Sequence, residues 1–532
     1  MGDAGAIPAV LDGLVALEYR GYDSSGVGWL DGDNIQTTKS IGEVRRLIEK
    51  INADTSARVA IGHTRWATHG GVSEANCHPH LSHDNRVAVV HNGIITNHRE
   101  LRAELESEGV VFSSQTDTEV IPNVLSKKQP IEKLRGSFAF LTITPDNPDS
   151  ITGVRRGSQP LVAGRGEGFS FITSDVGAAS LWSREIYAIE DGETVLVTRN
   201  GLEFWDGVKA IEKKPLVIKL KTKRASKGRF STFMESEIHE IPEVIRRIKK
   251  QPQNPIKTSG TVHIAACGTS YHAGLFIANL LERSGIRTKT YIASEFVPSQ
   301  PLIRDGDVGL VISQSGETAD TLVALKHMKE AEMFTFGICN VEQSSIYRYV
   351  DHCVLTHAGV EVAVASTKAY IAQVITGMML SGHPVDFDEV AFSIEEVLQN
   401  ASDIKSLAKQ YKDIKRIFFL GRGLDTITAL ESALKVKEIT YKHCEGFAAG
   451  ELKHGTLSLV DEHTLCVIFG DCEKLQSTRA EVEARGSQVW QIQNQHPLVN
   501  AVVAQLFALY LAQELGLDAD KPRNLAKSVT VE

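Results

Sequence analysis

Two short turns in the middle of this 532-residue chain carry more hydroxyls than a turn needs. CGTSYHAG (267–274) places Thr269 and Ser270 directly after Gly268. SQSGETADT (313–321) gathers Ser313, Gln314, Ser315 and Thr318 around Gly316. Each turn follows an apolar run that reads as a strand and precedes a helical pattern. A helix start exposes free N–H groups, and hydroxyls beside them make a dense, neutral donor set for a phosphate monoester. Ser and Thr are also ordinary N-caps, so one such turn says little. Two in one domain, each at the carboxyl end of a strand, point to a ligand. No Walker lysine follows either turn, which argues against a nucleotide P-loop. A third hydroxyl turn, VASTKAY (364–370), contains Ser366 and fits the same pocket, while its Lys368 reads as a helix-surface lysine.

The segment ALKVKEITYKHCEGFAAGELKHG (433–455) adds charge. Lys435 and Glu438 are three apart and share one helix face. A surface ion pair is the plain alternative for any Lys-x-x-Glu. Here a glycine-rich turn and then His454 follow. An aldose–ketose shift needs such a set: a carboxylate to move a proton between C1 and C2, and a histidine to open the ring. The last segment, PRNLAKSVTVE (522–532), combines the apolar pattern Leu525, Val529 and Val531 with Lys527. Terminal tails are usually loose, but this pattern predicts one folded back into a site. A desolvated lysine there can form a Schiff base with a ketose carbonyl.

These residues need elements to hold them. The first two hundred residues read as short strands (58–61, 86–91, 138–143, 169–173 and 194–197) between Gly, Asn and Asp turns, with few helices, such as 97–107. That grammar is α+β with antiparallel sheet. Residues 207–232, including KLKTKRASKGRF, lose all period and read as a linker. Beyond them, strands at 262–266, 308–312, 335–339 and 352–356 alternate with helices, which predicts a parallel sheet covered by helices. An acidic helix near 387–407 precedes a restart of the same grammar at 416–420, 464–469 and 488–492. The stretches IAACGTSYHAGLFIANLLERSG and FFLGRGLDTITALESALKVKEI both read strand, glycine turn, helix, so the α/β domain looks duplicated.

A chain of this length exceeds one hydrophobic core. Its net charge of -9 argues against nucleic acid as the main partner. Seven scattered cysteines without a CxxC pair offer no zinc site and fit a reducing cytoplasm. No run reaches membrane-span length, so no membrane partner is expected.

Taken in order, LEYRGYDSSG, HTRWATHG, HNGIITNHREL, TDTEVI, CGTS, SQSGETADTL, VASTKA, AAGELKHG and PRNLAKSVTVE resemble the glucosamine-6-phosphate synthases, isomerising glutamine–fructose-6-phosphate aminotransferases, nearly end to end. The resemblance implies an N-terminal nucleophile glutaminase domain (1–206), the linker, two α/β sugar-isomerase (SIS) domains (233–384 and 405–520) and a catalytic tail (521–532). It implies that Thr269, Ser270, Ser313, Gln314, Ser315 and Thr318 hold fructose 6-phosphate, with Ser366 nearby. Lys527 is implied to form the imine, Glu438 to shuttle the proton with help from Lys435, and His454 to open the ring from the partner subunit of a homodimer. Arg65, Trp66, Thr68, His69, Asn92, Gly93 and Asp117 match the glutamine site. There Arg65 and Asp117 are implied to grip the α-carboxylate and α-amino groups, Asn92 and Gly93 to form the oxyanion hole, and Trp66 to gate an ammonia channel. No metal or cofactor is expected.

Two departures stand out. The family's nucleophile is an N-terminal cysteine heading a short strand, whereas this sequence opens Met1-Gly2-Asp3 and its first cysteine is Cys77, within NCHPH. The expectation is an N-terminally truncated chain with a misassigned start, limited as written to free ammonia; a lost glutaminase activity is the competing explanation. The segment between Val120 and Arg135 is also shorter than the family's. A SIS-fold sugar-phosphate deaminase or deglycase is the second reading, disfavoured by the first two hundred residues. A non-catalytic amino-sugar-phosphate sensor is the third, and it leaves Lys435, Glu438, His454 and Lys527 without a purpose.

Overall fold

The computed structural model describes all residues except 3–4, 53, 67–69, 220–225, 252–253, 494–495 and 531–532. In the N-terminal part, alternation of apolar residues with period two builds antiparallel sheets that bury both faces. Within Ala88–Ile95, Ala88 and Val90 point to a sheet-on-sheet core with Ile61, Ala139, Leu161 and Val195. Val89 and Ile95 point the other way, onto helices His98–Ser107 and Val120–Ser126. A seven-stranded sheet runs from Lys209–Ile211 to His80–Leu81 with Ser150–Arg156 and Gly136–Ile143 at its centre. Opposite it lie a three-stranded sheet (Asn34–Ile41, Ser24–Asp31, Ala60–Arg65) and a four-stranded one that includes Val162–Gly166 and Phe169–Thr173. Helices Ala6–Leu17 and Val44–Lys50 cover the three-stranded sheet through Ile7, Leu14, Leu47 and Val27. The layers are helix, sheet, sheet, helix.

The expected linker is shorter than its sequence suggests. Lys209–Ile211 and Leu216–Val217 pair antiparallel with Gly201–Asp206 and Glu185–Ala188, so regular structure continues to residue 217. Their charged flanks hide the strands because both lie at sheet edges.

The second and third parts are parallel sheets. One orders its strands Arg287–Ile292, Thr261–Ala266, Val308–Ser313, Phe334–Cys339, His352–Leu355. The other orders His443–Ala448, Arg416–Gly421, Thr464–Phe469, Gln488–Ile492. Both follow the 2-1-3-4 pattern of doubly wound folds, which leaves a crevice outside the carboxyl ends of strands one and three. Helix Pro497–Glu514 is apolar all round and accordingly buried. It joins Phe276, Ile371, Val436 and Phe419 in a core shared by both units. The single acidic helix expected over 387–407 is two, Phe387–Gln399 and Ala401–Gln410, separated at Asn400. Among the described residues, no helix is long and apolar enough to cross a membrane.

Candidate active site

The hydroxyl turns stand at the predicted crevice. Strand Val308–Ser313 ends in Ser313, whose Oγ accepts the Gly316 N–H (3.1 Å) and meets Thr318 Oγ1 (2.9 Å). Gly316 has φ 68°, and a Cβ there would strike Ser344 Oγ, so only glycine fits. Ser315 Oγ accepts the Glu317 N–H (3.2 Å) and meets Ser528 Oγ of the tail (2.9 Å). Gln314 contributes its carbonyl, which accepts the Asn340 N–H. Across the crevice, Thr269 and Ser270 open helix Gly268–Arg283, and Ser270 Oγ accepts from Gln373 Nε2 (3.0 Å).

The tail folds back here, held by polar bonds. Tyr22 donates to the Pro522 and Leu525 carbonyls, Ala319 N–H to the Val529 carbonyl, and Gln159 to that of Thr530. Of the apolar pattern expected to anchor it, Leu525 is half-buried, Val529 is 41% exposed, and Val531 lies outside the described residues. The Lys527 side chain, 1% exposed, ends between Glu361, with which it forms an ion pair, and Ser366 Oγ (3.0 Å). Burial pushes the Glu361 carboxyl up, but Lys527 and the Thr367 and Ala369 N–H groups outweigh it and hold the pKa down at about 2. The pair is therefore ionic.

Lys435 and Glu438 meet at 2.7 Å on helix Leu424–Thr440, as their spacing predicts, but in the interior. Lys435 also donates to Thr269 Oγ1 (2.9 Å) and lies 3.4 Å from Glu431. Glu431 in turn accepts from Thr269 Oγ1 (3.1 Å) and meets His272 Nδ1 (2.7 Å). The Thr269 hydroxyl is thus tied into a charged network that joins the two parallel-sheet units. Burial raises the Glu438 pKa above the usual carboxylate range despite Lys435. Burial would lower that of Lys435, but Glu431 and Glu438 raise it.

Lys368 corrects another expectation. It is buried, not a surface lysine, and pairs with Glu240 at 2.7 Å. His454 is exposed on the short turn Glu451–His454, whereas the Lys527 and Lys435 side chains are buried. Sequence reasoning missed Glu361, Glu431 and His272. Their only signal was proximity to motif residues: Glu361 precedes Ser366 by five, and His272 follows Thr269 by three.

In the N-terminal part, Arg65, Trp66, Asn92, Gly93 and Asp117 line one cavity of 190 Å³ between the sheets, and its wall continues to Ser528 and Thr530 of the tail. Arg65 donates to the Gly70 (3.2 Å) and Gly71 (3.4 Å) carbonyls, and Asp117 accepts the Ile95 N–H (2.8 Å). Gly93 has φ 114°, and a Cβ would collide with the Ser137 carbonyl. Thr68 and His69 lie outside the described residues. In the same lining, Thr118 Oγ1 joins His78 Nε2 (2.9 Å) and His91 Nδ1 (2.8 Å). Cys77 is fully buried outside this lining, its Sγ donating to the Ser73 carbonyl (3.2 Å).

Two family models match: a glutamine amidotransferase domain over residues 63–179, and a SIS domain over 256–381 and again over 410–497. The chain is 38% identical to the glutamine–fructose-6-phosphate aminotransferase [isomerizing] of Caldanaerobacter subterraneus subsp. tengcongensis, covering 100% of this chain and 99% of the relative. It is 38% identical to the enzyme of that name from Aquifex aeolicus, over 99% and 98% of the two chains. The C-terminal domain of glucosamine-fructose-6-phosphate aminotransferase from Francisella tularensis superposes with a TM-score of 0.51 at 31% identity, over 56% of this chain and all of that one. A Thermotoga maritima glucosamine-6-phosphate deaminase shares the fold, with a TM-score of 0.51 at 24% identity over 57% of this chain and all of that one.

Proposed function

The chain belongs to the isomerising glutamine–fructose-6-phosphate aminotransferases, and we propose that it makes glucosamine 6-phosphate from fructose 6-phosphate with nitrogen from glutamine, or from free ammonia in the form without the N-terminal cysteine. The observation that carries this reading is the buried Lys527 ammonium, aimed between Glu361 and Ser366 beside the Ser315 turn. Ser270, Ser313, Ser315 and Thr318 hold the phosphate, with the N-terminal N–H groups of helix Ala319–Glu330 behind them. Lys527, as the free amine, adds to the ketose C2 carbonyl and releases water to form the imine. Incoming ammonia adds to that imine and displaces the Lys527 amine, leaving ammonia's nitrogen as the imine on C2. Glu438, as carboxylate, then takes the proton from C1 and returns it to C2, giving the C1 aldehyde and the C2 amine, while Lys435 holds the carboxylate in place. His454 opens the sugar ring from the partner subunit of a homodimer.

In the N-terminal part, Arg65 and Asp117 grip the glutamine carboxylate and amine, and Asn92 and Gly93 stand where the oxyanion would form once an N-terminal cysteine, the nucleophile the family resemblance implies, is supplied. The cavity wall shared by these residues and the tail supports a path for ammonia, with Trp66 at its gate. The free cysteines support a cytoplasmic setting.

Borohydride added during turnover of fructose 6-phosphate should reduce the imine and label the peptide that contains Lys527. Lys527→Ala should abolish both label and product with either nitrogen donor, while sugar-phosphate binding persists. Label on another lysine would overturn the assignment.

A further inference from the structure

The surroundings of Lys527 contain one carboxyl too many. Glu237, on helix Phe233–His239, is only 3% exposed. That helix is fixed beside the tail, because the Asp520 carboxylate accepts the Phe233 and Met234 N–H groups (2.8 Å each) and Thr232 Oγ1 accepts that of Glu235. Glu237 Oε1 accepts the Val362 and Ala363 N–H groups, one and two residues beyond Glu361, while Oε2 meets no hydrogen-bond partner among the described residues. The charged groups felt by Glu237 are Glu361, Lys527 and Lys368. Both lysines are already matched: Lys527 with Glu361, Lys368 with Glu240. Asp520, at the helix start, has Lys227 at 3.3 Å. Among the described residues, no cation remains for Glu237. An ionised carboxylate there would leave one charged oxygen bare in the interior, at a cost that protonation lowers.

We propose that Glu237 is a positioning residue for Lys527: it works as the neutral acid, bracing the backbone at 362–363 and leaving Glu361 as the anion paired with the lysine. Burial first, and Glu361 second, push its pKa up to about 8. Above that pH a second anion forms beside Lys527 and favours the ammonium, which cannot attack a carbonyl. The inference rests on the reading of Lys527 as the imine-forming residue.

The test uses the full chain with fructose 6-phosphate and free ammonia, with borohydride trapping followed from pH 6 to 10. Glu237→Gln mimics the neutral acid. It should keep turnover at pH 7 within about twofold, and half-maximal trapping should move to lower pH by about one unit, a tenfold gain in reactive amine at fixed pH. An unchanged trapping profile in this variant overturns the proposal. So does loss of turnover at every pH, since the ionised form would then be the working one. Infrared difference spectroscopy of the unmodified protein gives a second readout: a protonated carboxyl band should be present at pH 7, titrate near 8, and be missing in Glu237→Gln. A wild type that traps sugar at another lysine defeats the reading of Lys527 and leaves the Glu237 band to be judged separately.

Discussion

Lys435 and Glu438 illustrate how little a spacing says until burial is known. Three residues apart on an exposed helix, the pair would contribute a few tenths of a kcal/mol. Buried beside Thr269 and Glu431, it is an interior charged pair of the kind the proposed proton transfer requires. Because burial raises the Glu438 pKa, its carboxylate form is lost on the acid side at a pH above the ordinary value of about 4.3. The acid limb of kcat should therefore lie above the usual carboxylate range. Glu438→Gln should flatten that limb and lower kcat by about 10²–10⁴-fold, the typical worth of one general base, while borohydride still labels Lys527. Turnover left intact in this variant would hand the proton transfer to another group.

Strand–turn–helix units were the most legible elements, because Gly268 and Gly316 take positive φ at turns whose hydroxyls the sequence displays. The edge strands Arg287–Ile292 and His443–Ala448 escaped notice, since edges carry charged and polar residues that blur the apolar run. Glu361 was illegible for another reason: it acquires meaning only from Lys527, 166 residues away. The histidines of the N-terminal sheets were equally silent. His63, His78 and His80 pack closely there, with ring centroids 4.2 Å and 4.9 Å apart for successive pairs. Burial, and then neighbouring charges, hold all three neutral, with the His63 pKa down at about 3. A histidine whose folded pKa lies below its unfolded value of about 6.5 contributes stability fully above that pH. The contribution is lost as pH falls from 6.5 toward 3, because unfolding then takes up protons. Melting temperature should drop across this window, and His63→Gln should drop less steeply than wild type; parallel curves would mean that His63 charges freely in the fold.

At the scale of the molecule, one core shared by both parallel-sheet units fixes Thr269 of the first against Lys435 of the second, while the tail crosses from the second to the hydroxyl turn of the first. The N-terminal part holds that tail too, through Tyr22 and through Lys521, which pairs with Glu43 at 2.8 Å and Glu18 at 3.3 Å. A single chain thereby buries Lys435 and Lys527, while His454 stays exposed on its turn. An exposed histidine on a surface turn can serve a buried site only if another surface brings it there, and twofold symmetry would do so reciprocally. Two inactive chains, His454→Asn and Lys527→Ala, separate the possibilities when co-expressed with different tags and purified as the mixed dimer. If the histidine crosses between subunits, the site built on the His454→Asn chain has its own Lys527 and an intact histidine from the partner. The other site has neither working group. The mixed dimer should then recover about half the activity of the wild-type dimer, one site of two. If each chain used its own His454, neither site would be complete and no activity would return.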